Sequence, residues 1–268
     1  MKKAGVIGYP ITHSLSPKLH NYWLKKYNID GEYKAIEVKP EGLADFIKNM
    51  AANGYSGVNV TIPHKEAVME FLYEIDHVAK AIGAVNTIVV KDGKLIGKNT
   101  DVAGFAENIK SHIIGKKKAV IFGAGGAARA VGKALLDLDF SQITIANRTL
   151  AKADEVRHQF DNNLEVASWE ERSHLLKDAD LLVNTTSLGM TGKGELEIDL
   201  SLLPTTALVT DIVYNPLITP LLAQAQARGN PTVDGLGMLL HQAVPAFEAW
   251  FGVRPVVDDE LRKYMLEK

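Results

Sequence analysis

The chain has 268 residues, of which 46% are hydrophobic and 23% charged, and its formal net charge is −2. That balance gives no electrostatic footprint for nucleic acid, and the absence of cysteine excludes disulfides, a thiolate nucleophile and cysteine metal sites. The eight histidines lack metal-ligand spacing, the apolar run near Met1 reads as too short for a signal peptide, and no stretch approaches the length of a membrane span. The expectation is a cytoplasmic globular protein of one large or two modest domains, with no metal, no membrane and no nucleic acid.

Strand and helix patterns alternate from the start. Residues 4–7 read as a short apolar strand. Residues 17–26 read as an amphipathic helix, with Ser16 as its cap and Pro17 at the favoured first position. A strand at 33–38, a helix at 40–52 and a strand at 57–62 follow. Two further strands, 85–90 and 94–97, flank Asp92-Gly93, the dipeptide that a tight hairpin turn favours.

Residues 117–130 carry the most specific local signal. An apolar run, Ala119-Val120-Ile121-Phe122, breaks into Gly123-Ala124-Gly125-Gly126-Ala127-Ala128, and an alanine-rich helix pattern begins at once. Gly123 permits the tight turn, Gly125 lets the backbone approach a pyrophosphate, and Ala128 lets helix and strand lie close. The helix N-terminus then offers free N–H groups to phosphate. The next strand, 143–149, ends about twenty residues on, where an NAD site places Asp or Glu for the ribose hydroxyls. Here stand Asn147, Arg148 and Thr149, with Lys152 one turn into the following helix, so the chemistry favours the 2′-phosphate of NADP.

Further apolar strands are expected at 181–184, 208–213 and 231–233. Residues 237–251 form a long apolar helical pattern that Pro245 should kink. A helix after the last strand can cross back onto the N-terminal part, so the cofactor domain reads as an insertion with crossings near Asp101 and Gly235. The expected division is a substrate and catalytic domain over 1–101, completed by helices at 237–268, and a cofactor domain over 102–236. Ligands favour the cleft in such an arrangement.

Small polar residues gather at the ends of the N-terminal strands: Ser14-Leu15-Ser16-Pro17, Asn59-Val60-Thr61-Ile62-Pro63-His64-Lys65, Gly83-Ala84-Val85-Asn86-Thr87 and Asn99-Thr100-Asp101. Each alone also reads as a cap, a turn or a solvated lysine. Together with the glycine turn, Asn147-Arg148-Thr149, Asn184-Thr185-Thr186-Ser187-Leu188-Gly189-Met190, Asp211-Ile212-Val213-Tyr214-Asn215-Pro216 and Asp234-Gly235-Leu236-Gly237-Met238-Leu239-Leu240-His241-Gln242, they closely resemble the shikimate dehydrogenases, in order and over essentially the whole length.

The resemblance implies an α/β fold: an N-terminal α/β substrate domain plus a Rossmann-type NADP-binding domain, joined by two crossings with a catalytic cleft between them. It implies reversible reduction of 3-dehydroshikimate to shikimate by NADPH, on the route to chorismate and the aromatic amino acids. Lys65 and Asp101 correspond to the family's catalytic pair. Ser14, Ser16, Asn59, Thr61, Asn86, Tyr214 and Gln242 correspond to its substrate contacts. Gly123, Ala124, Gly125, Gly126, Ala127, Asn147, Arg148, Thr149 and Lys152 fall on the cofactor site, and Ile212, Gly235 and Met238 correspond to positions near the nicotinamide. Val102 replaces the family's usual glycine after the catalytic aspartate.

These roles agree with elementary chemistry. Reducing a ketone places negative charge on oxygen, which an ammonium can neutralise by releasing a proton, with Asp101 as its partner. The hydroxyls of Ser14, Ser16 and Tyr214 suit a ring carboxylate. The amides of Asn59, Asn86 and Gln242 both donate and accept, which suits ring hydroxyls. Alternative readings are a quinate/shikimate dehydrogenase of broader specificity, whose NAD-preferring members carry an acid where Asn147-Arg148 stands, and a non-catalytic NADPH-binding regulator. A monomer or a homodimer fits the sequence equally.

Overall fold

Strand β1 (Lys2–Gly8) is nearly all buried from Ala4 onward, and it lies inside a sheet rather than at its edge. It is followed by α1 (Ser16–Lys26), β2 (Gly31–Glu37), α2 (Leu43–Met50), β3 (Tyr55–Val60), β4 (Glu74–Ile75), α3 (His77–Ile82), β5 (Thr87–Lys91) and β6 (Lys94–Lys98). The sheet order is β2-β1-β3-β5-β6-β4, with β2, β1 and β3 parallel and β5 antiparallel to both β3 and β6. The computed structural model describes residues 1–267. In it, this sheet belongs to a unit made of Met1–Thr100 and the segment from Gln242 onward.

Local chemistry accounts for most of these elements, and it also accounts for where the sequence reading misjudged their ends. The turn between β5 and β6 has positive φ at both Asp92 (51°) and Gly93 (73°), as the two-residue hairpin requires. The strand expected from 85 starts only at Thr87, because Val85 N donates to Lys65 O (2.8 Å) rather than to a sheet partner. The helix expected over 40–52 is instead a 3₁₀ turn, Pro40–Gly42, followed by α2. Leu43, Ile47 and Met50 supply the buried stripe of α2. Ser16 does not cap α1 from outside. It is already helical, Leu15 holds the cap position, and Ser16 N donates to Ser14 Oγ at 3.3 Å.

The second unit, Asp101–His241, comprises α4 (Asp101–Ile109), β7 (Lys118–Phe122), α5 (Gly126–Asp137), β8 (Gln142–Asn147), α6 (Leu150–Gln159), β9 (Glu165–Ser168), β10 (Leu181–Asn184), β11 (Leu208–Asp211), α7 (Pro220–Ala227) and β12 (Thr232–Val233). Its strands are all parallel, in the order β12-β11-β10-β7-β8-β9. This is the doubly wound arrangement in which the order reverses beside the first strand. Ligands bind there, outside the strands' carboxyl ends. Ala128 of α5 is fully buried, as close helix–strand packing demands. Strand β11 stops at Asp211 rather than Val213, because the Asp211 carboxylate takes the Val213 N–H (3.0 Å) and turns the chain out of the ladder.

Helix α8 (Leu236–Phe251) runs unbroken through Pro245, and α9 (Asp259–Leu266) follows with Asp258 Oδ1 accepting from Leu261 N (2.9 Å) at its cap. Within the first unit the far half of α8 packs on α1. Phe247 lies 5.3 Å from Trp23, and Trp250 Nε1 donates to Ile88 O (2.9 Å). Each unit has its own apolar core, around Ile47, Val58 and Ile88 in the first and around Val120, Leu182 and Val209 in the second.

Candidate functional site

In the first unit the expected polar residues gather at the ends of β3 and β5 and on α8. Asn86 is the hub. Its Oδ1 accepts from Thr100 N (2.8 Å), and its Nδ2 donates to Thr100 Oγ1 (3.0 Å). Thr100 Oγ1 also lies within donating reach of Gln242 Oε1 (3.3 Å). Asn99 Nδ2 donates to Ala84 O at 2.9 Å, so the segment before Asp101 is pinned at both Ala84 and Asn86. The backbone carbonyl of Lys65 accepts from Val85 N, the residue before Asn86. His64 is buried and its Nε2 donates to Val38 O (2.6 Å), so the chain is anchored immediately before Lys65.

Asn59 is more committed than its sequence role suggested. Both of its amide hydrogens are engaged, by Asn86 O (3.2 Å) and Thr87 Oγ1 (3.1 Å), and its Oδ1 accepts from Tyr33 OH at 2.6 Å. Tyr33 is the residue that sequence reasoning missed. Its hydroxyl also meets the Ser16 side chain, and it ties two expected substrate contacts to one buried ring. In the sequence Tyr33 looks like any aromatic on the inner face of a strand. No local signal marks its hydroxyl. Ser14 and Thr61 are half-buried at the ends of the same loops.

In the second unit a surface pocket is lined by Ala124, Gly125, Asn147, Arg148, Thr149 and Lys152. All six are among the residues expected at the cofactor. Gly123 has φ +104° and backs onto Thr185, so no side chain fits there. A Cβ on Gly125 or Gly126 would meet nothing within 4 Å, which leaves open space above the start of α5. Gly125 is the N-cap of α5 and no side chain caps it, so the first amides are available to an anion. Asn147 Nδ2 donates to Thr149 O (2.8 Å), which shapes the loop that presents the exposed Arg148 and Lys152. Open backbone amides beside two cations fit a dinucleotide with an additional phosphate.

Asp101 opens α4 and is half-buried, and the following Val102 is buried against the unit's interior. Ile212 and Tyr214 sit on the loop after β11, and burial raises the Tyr214 hydroxyl above the ordinary tyrosine range. The buried Gly235 packs against that loop: a Cβ there would lie 2.7 Å from Val213 O. Met238 is half-buried in the first turns of α8.

Residues 6–88 match the shikimate dehydrogenase substrate binding domain, 105–228 the shikimate/quinate 5-dehydrogenase model, and 235–258 the shikimate 5′-dehydrogenase C-terminal domain. A shikimate dehydrogenase (NADP(+)) of Mesorhizobium japonicum is 55% identical, covering 97% of this chain and 94% of its own length. That of Paramagnetospirillum magneticum is 52% identical over 98% and 97%. The crystal structure of the Thermus thermophilus shikimate 5-dehydrogenase in complex with NADP(H) and shikimate superposes with a TM-score of 0.88 at 35% identity, covering 99% of this chain and 98% of the other.

Proposed function

The chain belongs to the shikimate dehydrogenase family, and from that premise we propose that it reduces 3-dehydroshikimate to shikimate, reversibly and with NADP as cofactor, with Lys65 and Asp101 as its proton-transfer pair. The observation that carries this reading is the pocket in which Gly125 and the Arg148–Lys152 pair come together. A dehydrogenase of this kind must grip a cofactor that carries a pyrophosphate and a separate 2′-phosphate, and that pocket has the chemistry to do so.

Bound NADPH supplies the hydride; the rest is work for the protein. Arg148 and Lys152 hold the 2′-phosphate, and the α5 amides hold the pyrophosphate. Ile212, Gly235 and Met238 shape the nicotinamide end. Lys65 gives its proton to the carbonyl oxygen as that oxygen gains charge, and Asp101 keeps the ammonium in place for the transfer. Asn86 and Gln242, linked through Thr100, orient the ring hydroxyls. Ser14, Ser16, Thr61 and Tyr214 take the carboxylate end. Asn59, with its amide hydrogens already committed, contributes chiefly by holding the Asn86 segment in register.

The product lies on the route to chorismate and the aromatic amino acids. We propose a cytoplasmic setting and a monomer or homodimer. No helix among the described residues is long and apolar enough to cross a membrane. The test is shikimate-dependent reduction of NADP⁺ by the purified protein, run beside quinate and beside NAD⁺. Turnover with shikimate and NADP⁺ far above the other combinations is expected. Binding of NADPH without any shikimate-dependent reduction would favour a regulator instead.

A further inference from the structure

Asp211 is fully buried at the carboxyl end of β11, and the chemistry above gives it no role. Its Oδ1 accepts from Asn184 Nδ2 (3.0 Å) and Val213 N (3.0 Å), and its Oδ2 accepts from Thr219 Oγ1 (2.8 Å). Burying a carboxylate opposes its ionisation, and here burial outweighs the three accepted bonds and raises the group above the usual carboxylate range. A buried charge without a countercharge is expensive unless the groups it organises justify it.

Those groups lie on two loops. Asn184 ends β10; its Oδ1 accepts from Thr186 N (3.0 Å) and Thr186 Oγ1 (2.8 Å), and its Nδ2 also reaches Leu188 O (3.1 Å). Thr185 Oγ1 donates to Phe122 O (2.6 Å), directly before the Gly123 turn. On the other loop, Ile212 N donates to Asn184 O (3.1 Å), and Asn215 O accepts from Thr191 N (2.9 Å). Thr219 caps α7 through Leu222 N (3.4 Å). One carboxylate therefore joins the loop beside the glycine turn, the loop bearing Ile212 and Tyr214, and the start of α7. All of this sits at the carboxyl ends of β10 and β11, next to the point where the strand order reverses.

We propose that Asp211 is a positioning residue for the nicotinamide half of the cofactor site: by clamping Asn184, Val213 and Thr219 together, it sets the Ile212–Tyr214 loop without contacting substrate or cofactor. The inference rests on the dehydrogenase reading given above. It bears on one half of the cofactor site, because Arg148, which follows β8, and Lys152 on α6, which would hold the 2′-phosphate, make none of these bonds.

The test uses the full chain carrying Asp211→Ala, Asp211→Asn or Thr219→Val. It measures steady-state kinetics and the dissociation constants of NADPH and of adenosine 2′,5′-bisphosphate, which fills only the adenosine half. For Asp211→Ala we expect kcat to fall about 10- to 100-fold, the cost of misplacing reacting groups. NADPH should bind about fivefold more weakly, the scale of a lost hydrogen bond, while adenosine 2′,5′-bisphosphate binds as before. Asp211→Asn keeps an acceptor for Asn184 and Val213 and should recover most of the loss; Thr219→Val should be intermediate. Unchanged kcat in Asp211→Ala overturns the proposal, and so does a parallel loss of adenosine 2′,5′-bisphosphate binding, which would mark a general structural role. If Asp211→Ala does not fold, the other two variants decide it: parental kcat and NADPH affinity in both would overturn it. A parent protein without shikimate turnover would remove the dehydrogenase reading, whereas the ratio of the two dissociation constants would still test the clamp.

Discussion

The imidazole of His20 lies flat against the phenol ring of Tyr33, with 4.0 Å between centroids and 4° between planes. Trp23, Phe247 and Trp250 surround the pair, and neither ring nitrogen of His20 has a hydrogen-bond partner among the described residues. Burial alone depresses the His20 pKa from 6.5 to about 3. In the unfolded chain the imidazole takes up a proton near its ordinary pKa, while in the folded protein it does not until about pH 3. Stability is therefore complete above the unfolded value and drains away as pH falls through the interval between the two.

Replacing His20 by Phe keeps a ring in the stack and removes that proton. Relative to the parent, His20→Phe should lose about 2 kcal/mol less stability between pH 7 and pH 5. Urea unfolding of both proteins at the two pH values measures it. Parallel acid-side slopes would mean that His20 is protonated in the fold.

Tyr33→Phe preserves the stacking and deletes the hydroxyl that Asn59 and Ser16 share. Asn59 Oδ1 is then buried without its donor, which costs about 1–3 kcal/mol in stability. We expect KM for shikimate to rise severalfold while KM for NADPH stays near the parent value, since the hydroxyl serves only the substrate side. A change confined to the melting temperature, with shikimate KM intact, would reduce Tyr33 to a packing residue.

Lys65→Ala should lower kcat by about 10²- to 10⁴-fold, the usual scale of a lost general acid. Shikimate affinity, followed by equilibrium titration, should shift far less, because the polar cradle of Asn86, Thr100 and Gln242 is untouched. Retained turnover would show that the proton comes from elsewhere.

Arg148→Asp places a carboxylate where a ribose 2′-hydroxyl would welcome it and a 2′-phosphate would be repelled. Losing a charge-assisted phosphate contact is worth about 1.5–3 kcal/mol. kcat/KM for NADPH should fall roughly 10- to 150-fold on that scale, and use of NADH should improve. An unaltered preference for NADPH would move the phosphate contact away from Arg148.

The glycine turn, the cationic strand end and the Asp92-Gly93 hairpin were all legible in the amino-acid sequence. Each depends on a backbone conformation or a side-chain chemistry set within a few consecutive residues, and a local pattern reports such things faithfully. The expected strand at 181–184 coincides with β10, and the expected alanine-rich helix with α5, for the same reason. Element ends were less faithful. β11 stops short because of a carboxylate that folds back on its own loop, and β5 starts late because Val85 turns to Lys65.

Other relationships have no local signature. Thr100 meets Gln242 across 142 positions of chain, and Tyr33 reaches Asn59 across 26. Asp211 reads as one member of a recurring motif until Asn184, 27 residues earlier, is seen bonded to it. Periodicity tells which face of an element is buried, but which polar atoms then meet inside depends on how strands and helices distant in the chain pack together. Packing also governs whether a buried charge is tolerated, since the low-dielectric interior leaves a polar group only the partners that the fold brings within reach.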